Sequence, residues 1–398
     1  MSDASFDALL TRAEPMLALA PMQDVTNLAF MDLMTRYSGA DVYFTEYFRV
    51  HADSHLSKFI LSSITQNPTG CPVVAQMIGN DIPSLVRTAR ELMQHPVAAI
   101  DLNLGCPAPV VYKKCAGGGL LRDLPKVDAI LGALRDAIPG RFTVKTRLGF
   151  DDDRTFEALL PIFTKHSLDL LTVHGRTVTQ MYRDGVRYDL IAEAVKAMKC
   201  PVLANGNVSS AAVGLDVLRN TGACGLMVGR GVIRNPWMFG QIRSLQRGEA
   251  MFVPTGRDVK KYIFDLYEAV HGPDMSETPH INRIKKFLNF IGEGVEPTGA
   301  FLHAVRRMTS DVEFQRICDE YLDHDRPMPL EPFPSKGANP AKSGTLRSFT
   351  TPGEHSDSSA LPGDPPEASL PGQSPGYQIP HPPHHPEASE SLAAAPLP

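Results

Sequence analysis

The sequence predicts an α/β chain: a closed (β/α)8 barrel of the TIM type, a small C-terminal helical domain and a disordered Pro-rich tail. Three observations lead there. Between Met16 and about Gly229, eight short apolar runs alternate with longer amphipathic stretches, and strands alternating with helices imply right-handed crossovers and a parallel sheet. Polar or charged residues directly follow nearly every apolar run. After Trp237 the strand pattern stops, and from about Pro327 the composition turns to Pro, Ser, Gly, Ala and His. An open doubly wound sheet is the alternative, but eight such units over this length match a closed barrel.

Residues 1–15 read as an N-terminal extension, with acidic residues and no apolar core of the signal-peptide kind. The barrel, residues 16–245, has candidate strands Met16 to Ala20, Val42 to Thr45, Val73 to Gln76, Ala98 to Leu102, Thr143 to Thr146, Leu170 to Val173, Val202 to Ala204 and Gly225 to Val228. Each is a short apolar run closed by a polar residue or glycine, as a buried parallel strand should be. Ser84 to Gln94, Lys126 to Ala137, Phe156 to His166, Tyr188 to Met198 and Ala211 to Arg219 carry helical spacing between them. Residues 246–326 hold four more helical stretches: Asp258 to Val270, Pro279 to Ile291, Phe301 to Met308 and Val312 to Tyr321. Residues 327–398 bury too few large apolar groups to offset their ordering entropy and are expected to be disordered. The tail histidines, His381, His384 and His385, are spaced by prolines in extended backbone, a poor arrangement for a metal.

Of the 398 residues 43% are hydrophobic and 21% charged, as in soluble globular proteins. No apolar run approaches the roughly 18 to 20 residues that span a bilayer, so no membrane partner and a cytoplasmic location are expected. The six cysteines show no CxxC pair and no histidine at metal spacing, which argues against a disulfide framework and a metal site. With a net charge of −5, a nucleic-acid partner would need a local basic patch.

In a barrel, the strands' last residues share one cavity. Here those ends supply Pro21, Met22 and Gln23; Glu46; Gln76; Asn103 to Cys106; Lys145 and Arg147; His174 and Arg176; Asn205, Gly206 and Asn207; and Gly229 with Arg230. The turns after the seventh and eighth strands are glycine-rich and sit where this fold commonly holds a phosphate. Alone, such turns are as often merely tight loops. Lys145, inside an apolar strand, needs an anionic partner or a route to solvent; beside a phosphate site it suits the N1–C2=O edge of a reduced flavin. Gln76 would then reach the ring's pyrimidine edge, and His174 would donate to the ring or to a bound base, although a strand-end histidine is commonly a satisfied core residue. Cys106 suits a proton donor, because an unperturbed thiol is mostly protonated at neutral pH. A nucleophilic cysteine with His174 as its base stays open, as does a buried structural role. Cys115 is the competing thiol, in glycine-rich, flexible surroundings that suggest a mobile lid.

Assembled, these residues resemble the FMN-dependent tRNA-dihydrouridine synthases, strongly over about Leu17 to Trp237 and weakly to about Leu322. The motifs are Leu19 to Met22 with Val25-Thr26, Thr45-Glu46, Gln76 to Gly79, Asp101 to Pro107, Val144 to Arg147, Val173 to Thr177 with Gln180 and Tyr182, Asn205-Gly206, and Gly229 to Gly231 before Asn235 to Trp237. The resemblance implies FMN held by Pro21, Met22, Gln23, Gln76, Lys145, His174, Asn205, Gly206, Asn207, Gly229 and Arg230, with NADPH or NADH as reductant. It implies Cys106 as proton donor and tRNA as partner. Asn103 and Arg176 would help place the substrate, with Lys113, Lys114, Arg283 and Lys286 contacting its phosphates; a monomer is expected. Gln23, Asp24, Asn27, Met31 and Asn207 depart from the family's usual residues. A flavin oxidoreductase acting on a free pyrimidine, of the dihydroorotate dehydrogenase kind, and a non-catalytic tRNA-binding protein are the alternatives.

Overall fold

The computed structural model describes residues 3–183 and 185–333; the expected disorder from residue 334 onward, and the tail histidines, lie outside the described residues. Eight parallel strands form the barrel: β1 (Met16–Leu19), β2 (Val42–Phe44), β3 (Val73–Ile78), β4 (Ala99–Leu104), β5 (Phe142–Arg147), β6 (Leu170–His174), β7 (Val202–Asn205) and β8 (Gly225–Val228). Each pairs with the next in sequence. β8 then pairs with β1, Leu226 opposite Leu17, which closes the ring and excludes the open sheet. All eight lie where the apolar runs place them, with β3 and β4 reaching two residues further into their polar ends.

Alternate strand residues point to opposite faces. One set, including Ala18, Val42, Phe44, Val74, Ala99, Leu170, Leu203 and Met227, packs into a cluster inside the ring. The other, including Leu17, Tyr43, Ala75, Leu102, Val144 and Leu226, packs with the surrounding helices. Phe6, on a helix Asp3–Thr11 that periodicity did not predict, is fully buried in the inner cluster. This helix is fastened by Arg141 to Asp7 at 2.6 Å. The barrel's lower end is therefore plugged, and its chemistry is confined to the strands' C-terminal ends.

The helices Gly256–Val270, Glu277–Ile291, Ala300–Arg307 and Asp311–Leu322 follow the barrel. The first starts at a capping box, in which Thr255 and Asp258 satisfy each other's backbone N–H groups. The helices lie directly on the barrel: Phe287 meets Phe30 with ring centroids 5.7 Å apart, and Tyr262 donates to the Ile233 carbonyl at 2.8 Å. Buried Arg234 donates to the Leu330 carbonyl and to Glu293, both at 2.9 Å. Although the compositional shift begins at Pro327, Met328 and Leu330 are buried, and the Phe333 N–H donates to the Glu293 carbonyl. Residues 327–333 are thus ordered by surface that their neighbours supply, which their own composition cannot reveal. Among the described residues no helix is long and apolar enough to cross a membrane, and no group of acidic, histidine or cysteine side chains could hold a metal ion.

Candidate active site

Along β4 the inward face changes from Ala99 to Asp101 to Asn103, and a chain of hydrogen bonds starts there. The buried Asp101 carboxylate accepts from Gln76 Nε2 at 2.7 Å and from Thr143 Oγ1 at 2.6 Å. Gln76 Oε1 accepts from Asn103 Nδ2 at 2.8 Å, and Asn103 Oδ1 accepts the backbone N–H groups of Gly105 (3.0 Å) and Cys106 (2.9 Å). An Asn side chain that holds the next two or three backbone amides fixes a turn. This one sets the half-buried Cys106 at the rim of the mouth. Burial pushes the Asp101 carboxyl up to about 6, with its hydrogen bonds and Lys145 pulling the other way.

Lys145 stands opposite Asn103 on the neighbouring strand. Its ammonium is pushed down to about 8, first by burial and then by the Arg147 charge, while Asp101 counteracts. His174 stands opposite Arg147. Burial, followed by Arg147, Lys145, Arg176 and Arg230, holds the imidazole well below its ordinary pKa, so the ring is neutral at neutral pH. Its buried Nδ1 has no hydrogen-bond partner within the protein. Arg230 and Arg147 both lie over the Tyr182 ring, 4.4 and 5.6 Å from its centroid. Arg147 also donates to the carbonyls of Thr177 (2.8 Å) and Met181 (2.7 Å). A chain of net charge −5 thus gathers four cations around one mouth.

The turns after β7 and β8 touch. A Cβ at Gly231 would lie 2.3 Å from the Val208 carbonyl oxygen, and Gly206 has φ +125°, a conformation that side chains rarely tolerate. Ser210 then caps the helix Ala211–Thr221. A helix start, with half-buried Arg230 on the neighbouring turn, suits an anion. Asn205 donates to the Met227 carbonyl at 2.7 Å, Asn207 is exposed, and Gly229 faces Met22, whose sulfur would be 3.0 Å from an added Cβ. Pro21 and Met22 are half-buried, and Gln23 donates to Glu46 at 2.9 Å.

Lys113 and Lys114 are exposed just past the Cys106 turn, beside exposed Cys115. The glycines that follow do not form flexible surroundings. Gly117 to Gly119 are buried in the 3-10 helix Gly117–Arg122, where added Cβ atoms would strike Ile78, Val178 and Tyr112 within 2.5 to 2.8 Å. They permit close packing, a use of glycine that sequence alone does not separate from looseness. Arg176 is buried and donates to the Arg183 carbonyl at 2.9 Å. Exposed Arg283 donates to the Val270 carbonyl at 3.0 Å, and Lys286 lies 3.6 Å from Asp24, which brings the helix Glu277–Ile291 beside the turn after β1.

Three residues in this site escaped the sequence reading as functional positions: Asp101, Tyr47 and the orienting Thr143. Period-two spacing from Asn103 would have found Asp101. Tyr47 had no such signal; it is buried with Ile78 and Val111 against Cys106.

Comparison with known proteins gives one consistent result. The family model described as "Dihydrouridine synthase (Dus)" matches residues 18–324. The tRNA-dihydrouridine(16) synthase of Neisseria meningitidis serogroup A is 28% identical over 313 residues, covering 77% of this chain and 94% of that one. A probable tRNA-dihydrouridine synthase of Rickettsia typhi is 31% identical over 76% of this chain and 94% of its own length. The tRNA-dihydrouridine synthase B of Xanthomonas axonopodis pv. citri is 33% identical over 65% and 78%.

Proposed function

The chain belongs to the dihydrouridine synthase family, and from that premise we propose that it reduces the C5=C6 bond of uridine in tRNA, using FMN and NADPH or NADH. The observation that carries the reading is the convergence of a fixed thiol, a half-buried lysine and a neutral buried histidine at one barrel mouth. The residues fit a planar flavin with a phosphate tail. His174 Nδ1 is buried without a partner, Gly206 holds a turn at φ +125° that a side chain would strain, and Arg230 adds positive charge beside it.

When bound, FMN supplies hydride from the nicotinamide to C6 of the base. Lys145 would face the flavin edge that gains negative charge on reduction, and its nearness to Asp101 favours the charged form. Asn205, Gly206, Asn207, Gly229 and Arg230 would hold the phosphate, with Pro21, Met22, Gln23 and Gln76 along the ring. Asn103 keeps Cys106 aimed across the mouth, so the thiol delivers its proton to C5. Arg176 braces the loop through Arg183 and adds to the field on His174. A base can reach this depth only when extruded from its stack, at a cost of a few kcal/mol repaid by backbone contacts. Lys113, Lys114, Arg283 and Lys286 are exposed cations available for those contacts.

The test is to reconstitute purified protein with FMN, NADPH and undermodified tRNA and to count dihydrouridine. Cys106→Ala should keep flavin and its reduction by NADPH yet lose most product, whereas Cys115→Ala should lose none. NADPH oxidation driven by orotate or fumarate, with tRNA untouched, would refute the proposal; equal loss in both variants would remove Cys106 from its role.

A further inference from the structure

A second cavity opens beside the mouth. About 420 Å³ in volume, it is lined by Gln23, Tyr47, Arg49, His51, Asp53, Ser54, His55, Ser57 and Ile60, within the size range of small-ligand sites. Arg49, His51 and His55 among them belong to neither the flavin site nor the acid site described above. Tyr47 connects the two: it faces this cavity and packs against Cys106.

The outer wall is built rather than loose. Arg87 donates to the carbonyls of Ala52 (2.6 Å), His51 (2.9 Å) and Ser54 (3.2 Å), and the Ser54 hydroxyl donates to the His51 carbonyl at 2.9 Å. With its backbone fastened, the loop presents His51, Asp53 and His55 to the cavity. Ser57 caps the helix Lys58–Thr65, whose first turn displays Lys58 and Phe59, the latter 59% exposed. On the inner side, exposed Arg49 lies 5.7 Å from the Tyr47 ring centroid. Cationic side chains with an exposed aromatic at the rim form the pattern that holds single-stranded nucleic acid. Asp53 supplies an acceptor for ribose hydroxyls, which a bare-phosphate site would not need.

We propose that this cavity receives the sugar–phosphate of the nucleotide adjoining the one whose base enters the barrel, with Arg49 and His51 on the phosphate. The proposal rests on the tRNA reading above and locates the RNA strand on the β2 side of the mouth. An extruded base drags its flanking backbone over one rim, and this rim pairs the Arg49 guanidinium and the His51 ring N–H with a path through Tyr47 to Cys106.

The experiment measures tRNA affinity as a function of salt for the FMN-loaded wild type, Arg49→Ala, His51→Ala and Arg49→Lys. Arg49→Ala should weaken binding about tenfold and reduce the slope of log Kd against log salt by about 1. His51→Ala should weaken it less, and Arg49→Lys should restore most of it, with flavin content and the KM for NADPH unchanged throughout. Unchanged tRNA affinity and slope would overturn the proposal, and so would a raised KM for NADPH, which would assign the cavity to the reductant. Wild-type protein that makes no dihydrouridine would instead fail the underlying reading, an outcome separate from any effect of Arg49.

Discussion

Replacing Lys145 by Met should stabilise the flavin-free protein while weakening its hold on FMN. Desolvation in the half-buried strand end pushes the Lys145 ammonium down to about 8 against an ordinary 10.5. Between those values the unfolded chain carries a proton that the folded chain has lost, so stability rises with pH across that window. Below it the charged lysine costs about 3 kcal/mol at pH 7, falling to about 2 at pH 9. Met removes this cost but leaves Asp101 without its neighbouring cation, which returns part of the gain. A net stabilisation of about 1 to 2 kcal/mol at pH 7 follows, or roughly 2 to 4 °C in Tm. Calorimetric melts of flavin-stripped wild type and Lys145→Met at pH 7 and pH 9 measure it, and the gap should narrow at the higher pH. Flavin titration should show FMN binding weakened by about tenfold or more, because the residue proposed to face the anionic edge is gone. A variant that melts lower at both pH values, or a gap that widens with pH, would refute the claim that burial depresses this lysine.

Two further perturbations probe the same mouth. Asn103→Ala leaves the Gly105 and Cys106 N–H groups and Gln76 Oε1 without their partner. It should cost about 1 to 3 kcal/mol in chemical denaturation and lower the rate of dihydrouridine formation with FMN content retained. Retained rate would show that the turn is held by other means. Gly206→Ala forces a side chain into φ +125°. It should destabilise the fold by about 1 to 3 kcal/mol and reduce FMN affinity in a fluorescence titration, and an unchanged titration would separate this turn from the cofactor.

The strands, their order and the end of the sheet that carries chemistry were written in local pattern. Apolar runs near β1 to β8 closed by polar residues bury both faces in a parallel sheet covered by helices, and their number over this length favoured a barrel, which the pairing of β8 with β1 then closed. Cys106, Lys145 and His174 were legible as candidates because a thiol, an ammonium and an imidazole at the ends of neighbouring apolar strands converge on one mouth in a barrel. Pairwise geometry was not legible. Gln76, Asp101 and Asn103 form one hydrogen-bonded chain only because neighbouring strands settle in register, a relation between residues more than twenty positions apart. The glycines after Cys115 looked like slack and proved to be tight packing, since whether a missing Cβ means freedom or contact depends on what arrives from elsewhere in the chain. The helix carrying Phe6 and the buried Met328 and Leu330 escaped for the same reason. Composition thus determined what each segment can do, and tertiary closure alone decided which segments meet, because burial and pairing are properties of neighbours that the chain brings together only on folding.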